Sequence, residues 1–234
     1  MQKNKSLQLF IGISCIYLLL IIVGNENWAW FLKPLLLPFL FLMVYQSEQF
    51  ETKNWLLFAL LFSWIGDIFL MFANKDALYF IFGLVSFLIA HILFILLFIK
   101  QKSIESTKKN YFFFIALLLV FFYLFGMLFL LIPKLGSLKF PVIIYATTIS
   151  FMLIVAIKGT FKWKSNSKHW ILIGAIFFVT SDSILAINKF HSDVNHALFY
   201  IMITYLIAQL LITIGILKLN KKIAFPNENA IVKI

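Results

Sequence analysis

Charged residues are scarce in this chain of 234 residues: they make up 12% of it, whereas 63% of its residues are apolar. A soluble domain carries about a quarter charged residues and roughly half apolar ones. So few polar side chains cannot coat a water-facing surface, which excludes a soluble enzyme, a disordered chain, a collagen and a coiled coil. The composition indicates an integral membrane protein.

Cysteine is almost missing as well, and arginine is absent. Cys15 is the only cysteine, so the chain can form neither an internal disulfide nor a cysteine-built zinc or iron–sulfur site. All twenty basic residues are lysines, and the net charge is +11. Most of these lysines fall in short stretches between apolar runs, so the charge indicates membrane topology and no binding of nucleic acid.

Eight apolar runs are long enough to cross a bilayer, which needs about 20 residues per helix within a range of roughly 17–25. Pro34 suits the first turn of the short second run, whereas Pro38 should kink it. The predicted fold class is an all-α membrane bundle of eight transmembrane helices, forming a single membrane domain over residues 1–234 with no extramembrane domain. The predicted spans are Leu7–Val23, Phe31–Tyr45, Trp55–Ala73, Leu78–Ile99, Tyr111–Ile132, Phe140–Ile157, His169–Ile187 and His196–Leu219.

The lysines are unequally divided between the two sides of these spans. Fifteen lie on the side of the N-terminus and five on the other side. Because lysine is enriched in cytoplasmic loops, both termini are predicted to be cytoplasmic, in a multi-pass protein of a bacterial inner membrane. The five outer lysines are Lys33, Lys75, Lys134, Lys139 and Lys189.

Two stretches of the chain resemble each other. GDIFL at 66–70 parallels SDSIL at 181–185, and FLIAH at 87–91 parallels YLIAQ at 205–209. The pairs occur in the same order, which predicts two parallel four-helix repeats, 1–110 and 111–234. Chance similarity between apolar helices is the other explanation.

Asp67 and Asp182 are the two acids inside the predicted spans. A charge within the membrane costs about 2.5–3.5 kcal/mol on insertion scales, which marks each acid as a functional candidate. At a rise of 1.5 Å per residue, both lie roughly 8–9 Å from the outer ends of their spans. Two carboxyl groups facing one cavity would share a proton and could act as general acid and base. Alternatively, each bonds a neighbouring hydroxyl, such as that of Ser63 or Thr180, and locks helices together.

Further polar residues are candidates for binding a substrate. His91 and Gln209 occupy equivalent places, roughly 10 Å deeper than the two acids by the same rise, where they could line the floor of a pocket. The set predicted to bind substrate is Asn74, Ser86, His91, Tyr145, Asn188, Tyr205 and Gln209.

Other hydrolytic chemistries are weakly represented in the sequence. His91 follows Ser86 by five residues on one helix and so points elsewhere, and the chain has no Gly-x-Ser-x-Gly motif, which argues against a serine hydrolase. The four histidines lie at different predicted depths, so no metal site is predicted. No cofactor is expected.

Taken together, these motifs resemble those of the YhhN-like lysoplasmalogenase family. The resemblance rests on GDIFL at 66–70, FLIAH at 87–91, Tyr145, GAIFF at 174–178, SDS at 181–183 and YLIAQ at 205–209. It covers nearly the whole chain, in order, with the expected eight spans. It implies hydrolysis of the vinyl-ether bond of lysoplasmalogens, which yields a fatty aldehyde and a glycerophospho-alcohol.

That reaction matches the chemistry of the two acids. A vinyl ether is hydrolysed by protonation of its β-carbon, which needs a protonated acid and a nearby anion, as the paired carboxyl groups of glycosidases provide. The expected partners are a lysophospholipid substrate and membrane lipid, and the oligomeric state stays open. A proton-coupled transporter or channel for a small solute or lipid is the rival hypothesis, since parallel repeats and buried acids also suit that function.

Overall fold

The computed structural model describes residues 5–102, 111–163 and 165–220. Within these ranges, eight helices are long and apolar enough to cross a membrane, and they confirm the predicted fold class. Seven of the lysines counted for topology lie outside the described residues: Lys3, Lys108, Lys109, Lys164, Lys221, Lys222 and Lys233. The helices are α1 Lys5–Ile22, α2 Glu26–Tyr45, α3 Lys53–Met71, α4 Ala77–Ile99, α5 Tyr111–Leu131, α6 Lys139–Lys162, α7 Lys168–Phe190 and α8 Ala197–Asn220.

The second span differs most from its predicted limits, because α2 begins at Glu26 and not at Phe31. Gly24, with a φ of +78°, turns the chain between α1 and α2. The stretch between Glu26 and Phe31 is rich in tryptophan, and tryptophan suits the membrane–water interface. Lys33 was the third residue of the predicted span and was counted with the outer loop. Because α2 begins at Glu26, Lys33 lies well inside the helix, and that count is wrong.

Helix α2 is interrupted by a short 3₁₀ turn at Lys33–Leu35. Pro38 has no N–H with which to bond the carbonyl of Pro34 four residues earlier. The indole Nε1 of Trp64 on α3 donates to that carbonyl instead, at 2.7 Å. In place of the predicted kink, the α-helix is broken at Lys33–Leu35. The bond from Trp64 attaches this turn to α3.

Small residues let two helix pairs, α3 with α4 and α7 with α8, pack closely. A Cβ added at Gly66 would lie 2.7 Å from the ring of Phe87, and one at Gly174 would lie 2.9 Å from the backbone nitrogen of Ile212. These are the pairs that the predicted repeat would equate. The repeat itself stays a prediction.

Helix α5 lies at the edge of the bundle. Val120 and Leu131 are its only buried residues, whereas aromatic side chains such as Phe121 and Phe129 are more than half exposed. An apolar helix exposed in this way is suited to lipid, not to water. The main buried core lies between the other helices, where the two acids are also found.

Candidate functional site

Asp67 lies on α3 at the centre of the bundle and is 5% exposed. The hydroxyl of Tyr205, on α8, donates to its Oδ2 at 2.8 Å. The ring of Tyr205 is held in turn by edge contacts with Phe87 on α4 and Phe178 on α7. Rings from two other helices therefore fix the hydroxyl that orients this carboxyl group.

Asp182 lies on α7 and has an equivalent arrangement. The hydroxyl of Tyr145, on α6, donates to its Oδ2. The Nε2 of His91, on α4, lies 3.7 Å from the same oxygen. The side chain of Asp182 is 12% exposed, so one side of the carboxyl group is open.

His91 is fully buried among aromatic rings. Its ring centroid lies 5.3 Å from that of Tyr145 and 4.7 Å from that of Phe178, both in edge contacts. Neither ring nitrogen has a hydrogen-bond partner within the described chain. From the sequence, His91 was predicted to lie about 10 Å deeper than the acids. Its Nε2 lies 3.7 Å from the Asp182 carboxyl group, so depths calculated from the rise of separate helices were wrong.

The distances from the two acids to the outer ends of their helices also differ from the prediction. By helical rise, Asp67 lies roughly 6 Å before the end of α3 at Met71, and Asp182 roughly 12 Å before the end of α7 at Phe190. Equal distances from the outer ends were therefore a wrong expectation, because α3 ends earlier and α7 later than predicted. The carboxyl groups nevertheless lie close enough to interact electrostatically.

Gln209 lies one helical turn beyond Tyr205 on α8 and is fully buried. Its amide is near the Tyr205 hydroxyl, but neither amide atom forms a hydrogen bond of ordinary geometry in the described structure. Thr213, one turn further, is buried and unpartnered in the same part of the chain. Buried polar groups are normally satisfied, so the unpartnered atoms of Gln209 and His91 are unusual.

Two residues near Asp67 were not among the predicted site residues. Lys33, in the 3₁₀ turn of α2, and Tyr17, on α1, both interact electrostatically with its carboxyl group. Lys33 was counted as a loop lysine because it lay at the outer end of the predicted span. A span that begins at Glu26 shows it as a charge inside the helix. Nothing in the sequence around Tyr17 distinguishes it from any other tyrosine inside an apolar helix.

An apolar cavity opens beside Asp182. Helices α4, α5, α6 and α7 provide most of its walls, with Leu84, Met127, Ile149 and Val179 among the lining side chains. Its polar lining includes Asp182 and Tyr145, whereas Asp67 is not part of it. The cavity is suited to a hydrocarbon chain whose polar end reaches Asp182.

Three residues predicted to bind substrate are not among those that line the cavity. Asn74 is exposed in the turn after α3, roughly 10 Å beyond Asp67 by helical rise. The Ser86 hydroxyl donates to the carbonyl of Phe62 at 2.6 Å and so ties α4 to α3. The Asn188 Oδ1 accepts from the backbone nitrogen of Val194 at 2.9 Å, which fixes the turn between α7 and α8.

The hydroxyls suggested as locks for the acids have other environments. Thr180 donates to the carbonyl of Ile176 on its own helix, and Ser63 has no partner in the described structure. The side-chain hydroxyls that reach the acids belong to tyrosines on other helices. Among the described residues, no group of three His, Cys, Asp or Glu side chains is placed to hold a metal ion.

The fold and the site define a class: a multi-pass membrane protein with two tyrosine-bonded carboxyl groups buried between its helices. The model of the YhhN family matches residues 28–216 of the chain. The chain belongs to this family.

A curated relative carries a functional name. Human lysoplasmalogenase TMEM86A is 30% identical over 162 residues, which cover 67% of this chain and 62% of the human protein. The matched part of the chain thus spans somewhat less than two thirds of the relative's length. No solved structure matches the chain.

Proposed function

We propose that this protein is a membrane-embedded hydrolase that cleaves the vinyl-ether bond of lysoplasmalogens, giving a fatty aldehyde and a glycerophospho-alcohol. The name of the human relative supports the substrate class. The observation that carries the proposal is geometric: Tyr205, which bonds Asp67, and His91, which lies 3.7 Å from Asp182, both contact the ring of Phe178. Of the two acids, Asp182 also lines an apolar cavity. Hydrolysis of a single-chain lipid needs an apolar space for the hydrocarbon chain and acidic groups next to that space.

The site suggests different roles for the two acids. In a vinyl ether, the carbon to be protonated belongs to the hydrocarbon chain, so the acid must face the space that holds that chain. Asp182 lines the cavity and Asp67 does not. We therefore assign Asp182 as the general acid that protonates the β-carbon, and Asp67 as the carboxylate that stabilises the resulting cation.

The remaining steps follow from this assignment. Protonation of the β-carbon leaves an oxocarbenium ion, as in paired-carboxyl glycoside hydrolysis. The Asp67 carboxylate offsets its charge and accepts a proton from the water that adds to it. The hemiacetal then collapses to the aldehyde: its hydroxyl proton passes to the Asp182 carboxylate, the bond from carbon to the glycerol oxygen breaks, and that oxygen takes the proton from Asp67 and leaves as an alcohol. Both carboxyl groups thereby return to their starting states. Tyr145 and Tyr205 hold the two carboxyl groups in position through their hydroxyls.

Purified protein incubated with a lysoplasmalogen and with its saturated alkyl-ether analogue tests the proposal. Aldehyde should form from the vinyl ether alone, because the saturated ether offers no carbon for protonation. In heavy water, the aldehyde should carry one deuterium on the carbon next to its carbonyl, after correction for exchange. Protein carrying Asp182→Asn, prepared identically, controls for contaminating hydrolases.

Aldehyde without solvent deuterium at that carbon would reject protonation of carbon as the mechanism. Absence of aldehyde, combined with proton-dependent uptake of a solute into vesicles, would favour the transporter hypothesis.

A further inference from the structure

Lys33 is a cation inside a membrane-spanning helix, roughly 10 Å along α2 from its start at Glu26. The residue is partly buried. A charge placed there is costly unless it is paired. Lys33 nevertheless forms no ion pair and no side-chain hydrogen bond within the described residues. Its ammonium group is therefore without an anionic partner among the described residues.

The position of Lys33 is fixed by the fold. The 3₁₀ turn that contains it is fastened to α3 by the bond from Trp64 to the carbonyl of Pro34. Trp64 lies three residues before Asp67 and so on the same side of α3. This bond holds Lys33 beside Asp67, within range of its charge but beyond ion-pair distance.

Asp67 does not form an ion pair with Lys33. Its Oδ2 accepts from Tyr205. By contrast, Lys53, the lysine at the start of α3, donates to the carbonyls of Tyr45 and Ser47. The fold thus satisfies one buried ammonium group with its own oxygens and leaves the one beside the reaction site without any.

We propose that Lys33 binds the phosphodiester group of the lysolipid substrate and so selects phosphate-bearing lipids over neutral ones. This inference rests on the proposed function. With the hydrocarbon chain in the cavity next to Asp182, the vinyl ether lies at the carboxyl pair and the head group continues past Asp67 to α2. Lys33 is a positioning residue: it holds the substrate and takes no part in proton transfer.

The test compares two vinyl-ether substrates, an alkenyl-lysophosphatidylethanolamine and the corresponding 1-alkenylglycerol, which lacks the phosphate. Wild-type protein should have a KM for the phospholipid at least tenfold lower than for the neutral lipid. Lys33→Gln should raise the KM for the phospholipid about tenfold or more, and should raise the KM for the alkenylglycerol by a much smaller factor. Lys33→Arg should retain part of the preference.

Lys75→Gln is the matched control, since Lys75 is an exposed lysine in the turn after α3. It should leave both substrates unaffected. Binding can be measured without turnover by the thermal stabilisation that saturated lysophosphatidylethanolamine produces. Wild-type protein should be stabilised more by this lipid than by monoacylglycerol, and Lys33→Gln should lose the difference. Inorganic phosphate alone should not stabilise the wild type, because the site recognises a lipid head group.

Equal loss of rate on both substrates in Lys33→Gln would overturn the proposal and make Lys33 a counterion of Asp67. Equal KM values for the two substrates in the wild type would overturn it without any variant. Stabilisation by inorganic phosphate as strong as that by the phospholipid would overturn the lipid assignment. Failure of the proposed function is distinguishable, because then neither vinyl ether would yield aldehyde.

Discussion

Asp67 and Asp182 each accept a hydrogen bond from a tyrosine on another helix, and the contacts run across the predicted repeat halves. Tyr205 of the second half reaches Asp67 of the first, and His91 of the first half lies 3.7 Å from Asp182 of the second. The site therefore needs both halves of the chain. Two carboxyl groups in one weakly solvated site do not both ionise readily, which favours a proton shared between them.

Replacing either acid should abolish catalysis and leave the fold intact. Asp67→Asn and Asp182→Asn should each lower aldehyde release by about 10²–10⁴-fold, the range that a general acid or base contributes. An amide still accepts the tyrosine hydroxyl but can neither protonate carbon nor stabilise a cation by charge. Turnover and size-exclusion profiles of purified variants measure the two properties separately.

Asp193→Asn serves as the control, because Asp193 is exposed in the turn between α7 and α8. It should retain full activity. More than roughly a tenth of the wild-type rate in either site variant would make that acid structural.

The rate of hydrolysis should depend on pH in a bell-shaped manner. At low pH both carboxyl groups are protonated and no anion stabilises the cation, whereas at high pH both are ionised and no acid protonates the carbon. Initial rates of aldehyde release across a buffered series measure this, with detergent and substrate concentration held constant. A rate that stays level to high pH would contradict a carboxyl acid.

At the scale of the helix, the break in α2 shows how a proline can fasten one helix to another. Pro38 leaves the carbonyl of Pro34 without its helical partner, and Trp64 supplies a donor from α3. The irregular backbone is tolerated within the membrane because a neighbouring helix satisfies it. The result is a turn that presents Lys33 beside Asp67.

The close packing of α7 on α8 should fail when a methyl group is added at Gly174. The new Cβ would lie 2.9 Å from the backbone nitrogen of Ile212 and 3.0 Å from the carbonyl oxygen of Ala208, and neither backbone atom can move alone. Gly174→Ala should therefore destabilise the protein by about 1–3 kcal/mol, the usual cost of overpacking. Thermal unfolding in detergent, followed by intrinsic fluorescence, measures the loss.

Gly126→Ala on α5 is the matched substitution, because no atom lies within 4 Å of the Cβ that it adds. It should be neutral or slightly stabilising, since alanine favours a helix more than glycine does. Equal effects of the two substitutions would show that α7 and α8 do not pack in this manner.

For the whole molecule, reporters fused after Ile234 and inserted between α4 and α5 should both be cytoplasmic. With Lys33 inside α2, four lysines remain on the outer side against fifteen on the inner side, and this bias orients a multi-pass protein. Alkaline phosphatase, which is active outside the cytoplasm, and green fluorescent protein, which fluoresces inside, report the two locations. An insertion between α3 and α4 should give the opposite signal. An external C-terminus would contradict the proposed orientation.

Part of the candidate site could be predicted from the sequence, and the reason is chemical. Asp67 and Asp182 are conspicuous because a carboxyl group inside an apolar run is costly. Tyr145, Tyr205, His91 and Gln209 could be proposed for the same reason. Asn74 and Asn188 satisfy that rule less well, because they lie near the ends of spans where a polar side chain costs little.

What the sequence by itself determined is the set of membrane-spanning helices, since each is defined by local hydrophobicity and needs no partner to be recognised. It also determined which polar residues are unusual in the membrane. Only the tertiary structure decided that Tyr205 bonds Asp67, that His91 lies beside Asp182 and that Asp182 lines the cavity. Such pairings depend on how separate helices cross and rotate against one another, and the packing of small residues and aromatic rings across the whole bundle sets those angles. The same holds for Lys33: its chemistry is visible in the sequence, but its place beside Asp67 depends on a bond between two helices.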